Sequence, residues 1–498
     1  MKKHEVLESY LSSVSMVQQQ IESYNRFIHT GINRTVESQN VIEPDVSDFA
    51  IKLNGIRLEQ PKIIESDSSI RSFLPHEALI RNLTYAAPMY LTYTPVISGV
   101  EKTINTGEAY IGDLPVMVKS DLCYTKNMSY EQLLNEGEDP DDPGGFFIIK
   151  GTERVLVGIE DLAPNKIICT KESSGDTVAK VFSSTQLNFR GRCSISRDEY
   201  GVYTLMFPTL SKSLDLVLVL KALGLANNKM SEAMVDKDSR NDMLLNIGIS
   251  RAKDMSVQDA VGELGRISAP NQAKVYQDKR AEFQLDTYIL PHLGLKPEAR
   301  IEKAYYLLRM AERASLVAYG HMKPDDRDNY ANKRINLAGD LMEVLFSSAF
   351  KFFIRDVKYH VERTTARGRK LTVRTNINPD TLTEKILYSM GTGSWPAGQT
   401  GVSQVLDRVN MFSSLSHLRR VKSPLTKKHS HLRARDVHGT HIGKICPSET
   451  PEGPEVGLTR YLALMSKVTV GADEGITSAK LKEIMHGSRD RPAKEKEV

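Results

Sequence analysis

Three features of the sequence predict an α+β multidomain protein. The chain has 498 residues, several times a typical domain of roughly 100 to 150, so it should carry more than one core, about two to four domains. Short β-prone runs broken by proline and glycine fill residues 51–118. Strand-like runs followed by long stretches with apolar residues at helical spacing fill the middle of the chain, a segregation expected of α+β rather than alternating α/β architecture.

The composition is that of an ordinary globular protein, with 40% hydrophobic and 26% charged residues. No apolar run approaches the roughly 20 residues of a membrane span, and the first 28 residues lack the continuous apolar core of an export signal, so no membrane is expected as a partner and a cytoplasmic location is expected. Four cysteines, Cys123, Cys169, Cys193 and Cys446, lie far apart without a CxxC pair, which indicates neither a disulfide framework nor a zinc ribbon. The net charge of +4, from 66 basic and 62 acidic residues, is too small to mark a nucleic-acid binder by itself. Its distribution is more telling, because Arg419, Arg420, Lys422, Lys427, Lys428, Arg433, Arg435 and Lys444 crowd one stretch against the single acid Asp436.

In chain order, residues 5–30 place Val6, Leu7, Tyr10, Leu11, Val14, Val17, Ile21 and Tyr24 on one stripe of an amphipathic helix. A mixed, strand-rich segment follows to Val118. DPDDPGGFFIIKGTERVLV at 139–157 predicts a hairpin turning at Lys150-Gly151. Its acids Asp139, Asp141 and Asp142 are read as a solvated turn in preference to a metal site, since the prolines between them break any EF-hand spacing. Beyond Lys166 come strands, with Arg190, Arg192 and Arg197 as exposed surface or a phosphate-facing pair, and then helices over 215–225, 273–288 and 297–319. A further helix is expected over 339–361 with Leu341, Leu345, Ala349, Phe352 and Phe353 on its apolar face. The basic run 363–370 sits where a helix macrodipole favours cations. Residues 405–418 are apolar and read as helical. After Gly471 the chain is charged and reads as a fraying end.

The densest stretch is RARDVHGTHIGKICPSETPEGPEVG at 433–457. Pro447, Pro451 and Pro454 fix φ and remove donors, while Gly453 and Gly457 admit left-handed turns, so a stiff, repeatedly bent loop is expected to hold Arg435, Asp436, Glu449 and Glu452 in place. Phosphate recognition suits arginine's permanently charged fork, and Arg419 and Arg420, between an apolar stretch and Pro424, are the best candidates; plain surface arginines are the alternative. Arg435 and Glu449 are read as a charged pair, either functional or a buried structural one. His429, His431, His438, His441 and Cys446 invite a zinc reading, which Gly439, Gly443 and the lack of an HExxH glutamate oppose; hydrogen-bonded structural histidines are preferred.

The strings RNLTYAAPMYLTYTP at 81–95, GGFFIIKGTERVLVGIEDLAPN at 144–165, GVSQVLDRVN at 401–410, SHLRR at 416–420 and the 433–457 stretch follow one another as in the second-largest subunit of multisubunit DNA-dependent RNA polymerases, which the chain resembles in its archaeal and eukaryotic form. The resemblance implies a mixed strand-and-helix protrusion (1–165) with an inserted lobe (166–323), a return segment of the protrusion (324–394), a fork (395–475) and a charged tail (476–498). It implies contact of Gln404 and Arg420 with the RNA–DNA hybrid, of Lys427 and Lys428 with DNA phosphates in a second fork loop, and a place for Arg435 and Glu449 beside the incoming nucleotide. WPAGQT at 395–400 matches a short first fork loop. No NADFDGD-like string occurs, so no catalytic residue is expected here. The resemblance implies that this chain holds no cofactor and that Mg²⁺ is held by the largest subunit. It also implies that the chain is the N-terminal half of a split subunit, with the C-terminal half B′, the largest subunit, smaller subunits, template DNA and transcript as partners. A nucleic-acid-binding scaffold outside a polymerase and a zinc hydrolase are the competing classes.

Overall fold

The computed structural model describes residues 4–6, 9, 15–46, 49–97, 100–101, 106–172, 174–185, 190–210, 212–368, 373–425, 432–471 and 474–487. The chain forms two compact units. The first takes residues 1–159, 335–422 and 442–498, and the second takes 160–334 and 423–441. The fold is α+β, with sheets that are antiparallel in nearly every pairing.

The first unit is built on a five-stranded antiparallel sheet. Ala86–Ile97 pairs with Phe49–Leu58, Val100–Glu101 and Gly107–Pro115, and Val41–Ile42 extends the Phe49–Leu58 edge. Ile51, Leu53, Met89, Leu91, Ile111 and Leu114 alternate inward and share a core with Phe346, Phe350 and Phe353 of the helix Ala338–Ala366. That helix is longer than its predicted span and buries a wider face. Met342, Phe346 and Phe350 are in the core, whereas Phe352 points outward beneath Lys385, whose Nζ lies 3.7 Å from the ring centroid. A single stripe of spacing underestimates a helix with neighbours on more than one side.

The start of this helix explains the N-terminal helix. Gln20 Oε1 accepts from Ala338 N at 3.0 Å and Ser23 Oγ from Gly339 N at 3.1 Å, so side chains of Gln18–Arg26 satisfy amides that a helix start leaves open. The approach is so close that a Cβ on Gly339 would fall 1.9 Å from Ser23 O. The N-terminal helix does not end near residue 30. It passes through a π-helical turn, Phe27–Gly31, into Ile32–Glu37.

The predicted hairpin forms from Phe147–Ile149 and Thr152–Leu156. Lys150 and Gly151 have φ of 48° and 70°, the left-handed pair of a tight turn whose twist matches the strands. Ser403–Val405 adds a third strand, with Gln404 opposite Val155. Residues 405–418 are therefore not one helix. Val405 is in the sheet, and the helix is Met411–Leu418, started by the Asn410 side chain accepting from Ser413 N at 2.8 Å. Next, Arg420–Lys422 pairs parallel to Gly158–Ile159 and antiparallel to Thr459–Tyr461. The helix Glu474–Gly487 lies where a frayed end was expected.

The second unit is a five-stranded antiparallel meander, from Ile167–Lys171 through Thr177–Ser184, Arg190–Arg197 and Tyr203–Met206 to Leu214–Asp215, covered by helices. Leu216–Ala222 begins at Asp215, whose carboxylate accepts from Val217 N at 2.9 Å. Arg300–Ala318 buries Ala304, Leu307, Leu308, Met310, Ala311 and Ala314, while Ile301 in its first turn is exposed. Further helices of the unit include Lys237–Ile249, whose apolar residues keep to no single face, and Val257–Ser268, which buries Ala260, Val261 and Leu264 along one stripe. No described helix is long and apolar enough to cross a membrane.

Candidate nucleic-acid interface

Arg419 and Arg420 are neighbours with opposite environments. Arg419 ends the helix Met411–Leu418 and is 7% exposed. Its guanidinium donates to the carbonyl oxygens of Met16 at 2.6 Å, Ala463 at 2.7 Å and Leu464 at 3.2 Å. It ties three chain segments together, and a group so engaged is a structural clamp rather than a free phosphate fork.

Arg420 opens the next strand, opposite Tyr461, and its guanidinium lies over the Tyr461 ring, 5.4 Å from the centroid. Nη1 donates to Gln404 Oε1 at 3.1 Å. The buried Nε has no hydrogen-bond partner, and no carboxylate pairs with Arg420 among the described residues. The charge is therefore oriented but not neutralised, which favours an anion arriving from outside.

Gln404 Oε1 also meets His417 Nε2 at 3.1 Å, and the Gln404 amide donates to Gly401 O at 3.1 Å. His417 Nδ1 accepts from Asp407 N at 3.2 Å, so the ring proton is assigned to Nε2. Burial, and then the Arg420 charge, push the His417 imidazole down to about 4 against the opposing pull of Asp407. His417 was not among the residues singled out by sequence. Its only signal was its place three residues before Arg420 in SHLRR.

Lys427 and Lys428 lie outside the described residues, as do His429 and His431. Arg435 is half-buried at the end of the short helix Leu432–Arg435, in the second unit. Glu449 belongs to the first unit and is exposed, and its carboxylate accepts from Ser416 Oγ. Gly453 and Gly457 have φ of 77° and 70°, and Thr450 Oγ1 pins the second turn by accepting from Gly457 N at 3.0 Å and donating to Thr459 O at 2.9 Å. The predicted local stiffness of this stretch therefore has a hydrogen-bonded basis.

The acidic turn is held from within the first unit. Asp142 Oδ1 accepts from Gly144 N at 2.7 Å, its Oδ2 from Arg408 at 2.6 Å, and Asp139 Oδ1 from Asp141 N at 3.0 Å. Arg408 also clamps Glu153 at 2.7 and 2.8 Å. These oxygens already have donors, so the turn does not fit a divalent cation. Of the histidines considered for zinc, His438 pairs with Asp326 at 2.8 Å, and His441 Nδ1 accepts from His438 N at 3.3 Å. Asp236, Asp238 and His321 have ligand spacing, but Asp236 already caps Lys237–Ile249.

Comparison with known proteins identifies the family of the chain. Residues 15–384 match the family described as RNA polymerase beta subunit, and residues 404–468 match RNA polymerase Rpb2, domain 3. DNA-directed RNA polymerase subunit Rpo2N of Methanocaldococcus jannaschii is 43% identical over 479 residues, spanning 94% of this chain and 96% of the relative. The Rpo2N of Halobacterium salinarum is 40% identical over 488 residues, spanning 95% and 93%. Subunit Rpo2 of Saccharolobus solfataricus is 40% identical over 483 residues, which are 96% of this chain but 43% of that relative. The chain belongs to the RNA polymerase beta subunit family and is a subunit of a DNA-directed RNA polymerase, a nucleotidyltransferase that works as a complex.

Proposed function

We propose that this chain serves as the N-terminal half of a split second-largest subunit, called B″ in one nomenclature, and works with a C-terminal half, B′, the largest subunit and smaller subunits in the cytoplasm. In this reading residues 1–165 and 324–394 are the protrusion, 166–323 the lobe and 395–475 the fork. The fork holds the RNA–DNA hybrid through Gln404 and Arg420, and Arg419 keeps the strand carrying Arg420 in place. Lys427 and Lys428 meet DNA phosphates, and Arg435 and Glu449 position the incoming nucleotide. The observation that carries the reading is the guanidinium of Arg420, held by the neutral Gln404 amide over Tyr461 without a carboxylate, an arrangement that suits a phosphate.

Nucleotidyl transfer of this kind uses metal ions to stabilise the attacking and leaving oxygens. In this reading Mg²⁺ is held by the largest subunit, which the family resemblance supports. Purification of the native protein tests the whole reading. It should emerge with the large polymerase subunits and with promoter-dependent RNA synthesis, and isolation alone and inactive would overturn the proposal.

A further inference from the structure

We infer that His417 is a positioning residue for Arg420, acting through Gln404. The inference rests on the reading that Arg420 contacts a nucleic-acid phosphate. A carbonyl oxygen has two lone pairs, and Gln404 Oε1 meets two donors, Arg420 Nη1 and His417 Nε2, each at 3.1 Å. If the amide were turned over, its NH₂ would face both of those N–H groups. The His417 proton therefore helps decide which end of Gln404 faces Arg420. The tautomer that places the proton on Nε2 is set in turn by the backbone N–H of Asp407 on Nδ1, at 3.2 Å.

Orientation thus runs from the Asp407 backbone through His417 and Gln404 to the guanidinium, each bond polarising the next. Every partner in the chain is uncharged, so the guanidinium is aimed while keeping its full charge. The charged groups acting on His417 are Arg420 on the following strand and Asp407 in the preceding loop. Protonating His417 at Nδ1 would turn the Asp407 N–H contact into a clash of donors and add a like charge beside Arg420. The neutral ring is thus part of the device.

Two substitutions in the assembled polymerase separate positioning from space-filling. In His417→Asn the short amide can still accept from Asp407 N–H but cannot reach Gln404. In His417→Gln the longer amide can donate to Gln404 but gives up the δ-position acceptor. Elongation complexes on an RNA–DNA scaffold are followed by their dissociation rate across salt concentrations, with Arg420→Ala as reference. Positioning predicts that His417→Asn dissociates roughly tenfold faster, as expected for a weakened hydrogen bond to a charged group, and that its salt slope falls by about one counterion. His417→Gln should stay within about twofold of the parent, and His417→Asn combined with Arg420→Ala should match Arg420→Ala alone, because coupled residues are not additive. The opposite ranking of Asn and Gln, parental behaviour of both, or an additive double variant would overturn the inference while leaving the reading of Arg420 intact. An unchanged salt slope in Arg420→Ala would overturn that reading, and the inference with it.

Discussion

Two arginine networks, one in each unit, show how the same side chain serves opposite purposes. In the second unit Arg197 is 8% exposed and grips Asp242 through Nε at 2.8 Å and Nη2 at 3.3 Å. Asp242 also accepts from Ser315 Oγ at 2.8 Å and Tyr319 OH at 2.7 Å, and the Tyr319 ring lies 4.8 Å from the guanidinium. The charge is neutralised where it stands. In the first unit Arg420 also lies over a tyrosine ring, but its hydrogen-bond partner is the neutral oxygen of Gln404. Replacing the carboxylate with an amide turns a closed structural pair into a cation that is aimed and still unmatched.

The comparison breaks most readily at Asp242. Asp242→Ala leaves Arg197 buried without a counterion, and removing one partner of a buried pair costs about 3–5 kcal/mol. Chemical denaturation should show the second unit losing that much stability. Less than about 1 kcal/mol would mean that Arg197 is not the closed pair described here.

A smaller effect concerns pH. The His417 imidazole is held down to about 4 from 6.5, so between those values the unfolded chain binds the proton and the folded chain does not. Stability is complete above about pH 6.5 and is lost as pH falls towards 4, by about 2 kcal/mol after allowing for solvent screening. Denaturation at pH 7 and pH 5 should show somewhat more than half of this loss in the parent and not in His417→Gln.

The smallest effect on folding is expected at Arg420 itself. Arg420→Ala should change fold stability by less than about 1 kcal/mol, because no buried carboxylate is stranded. Its cost should appear instead in nucleic-acid retention, with a salt slope lower by about one counterion. A large loss of folding stability with unchanged retention would make Arg420 a structural arginine like Arg197.

Much of this architecture was legible in residues close together in sequence. The Lys150-Gly151 turn, the helix start at Asp215, the long helices and the left-handed Gly453 and Gly457 each follow from spacing or turn chemistry within a few positions. The candidate site was legible in part, since Gln404 and Arg420 stood out through a resemblance and through charge clustering. His417 did not, because a histidine on a short helix carries no sign of which oxygen its ring will meet.

By itself, then, the sequence determined the α+β class, the local elements and the concentration of positive charge around residues 417–444. Tertiary structure decided which charges remain available. Arg197 meets an acid 45 positions away and Arg419 a carbonyl 403 positions away, whereas Arg420 meets only the amide of Gln404 and a tyrosine ring among the described residues. Tertiary structure also placed Val405 in a sheet and turned Phe352 outward. The physical reason is range. Periodicity and turn propensity are properties of adjacent residues, while desolvation and pairing of a charge depend on partners that only the folded chain brings within a few ångströms.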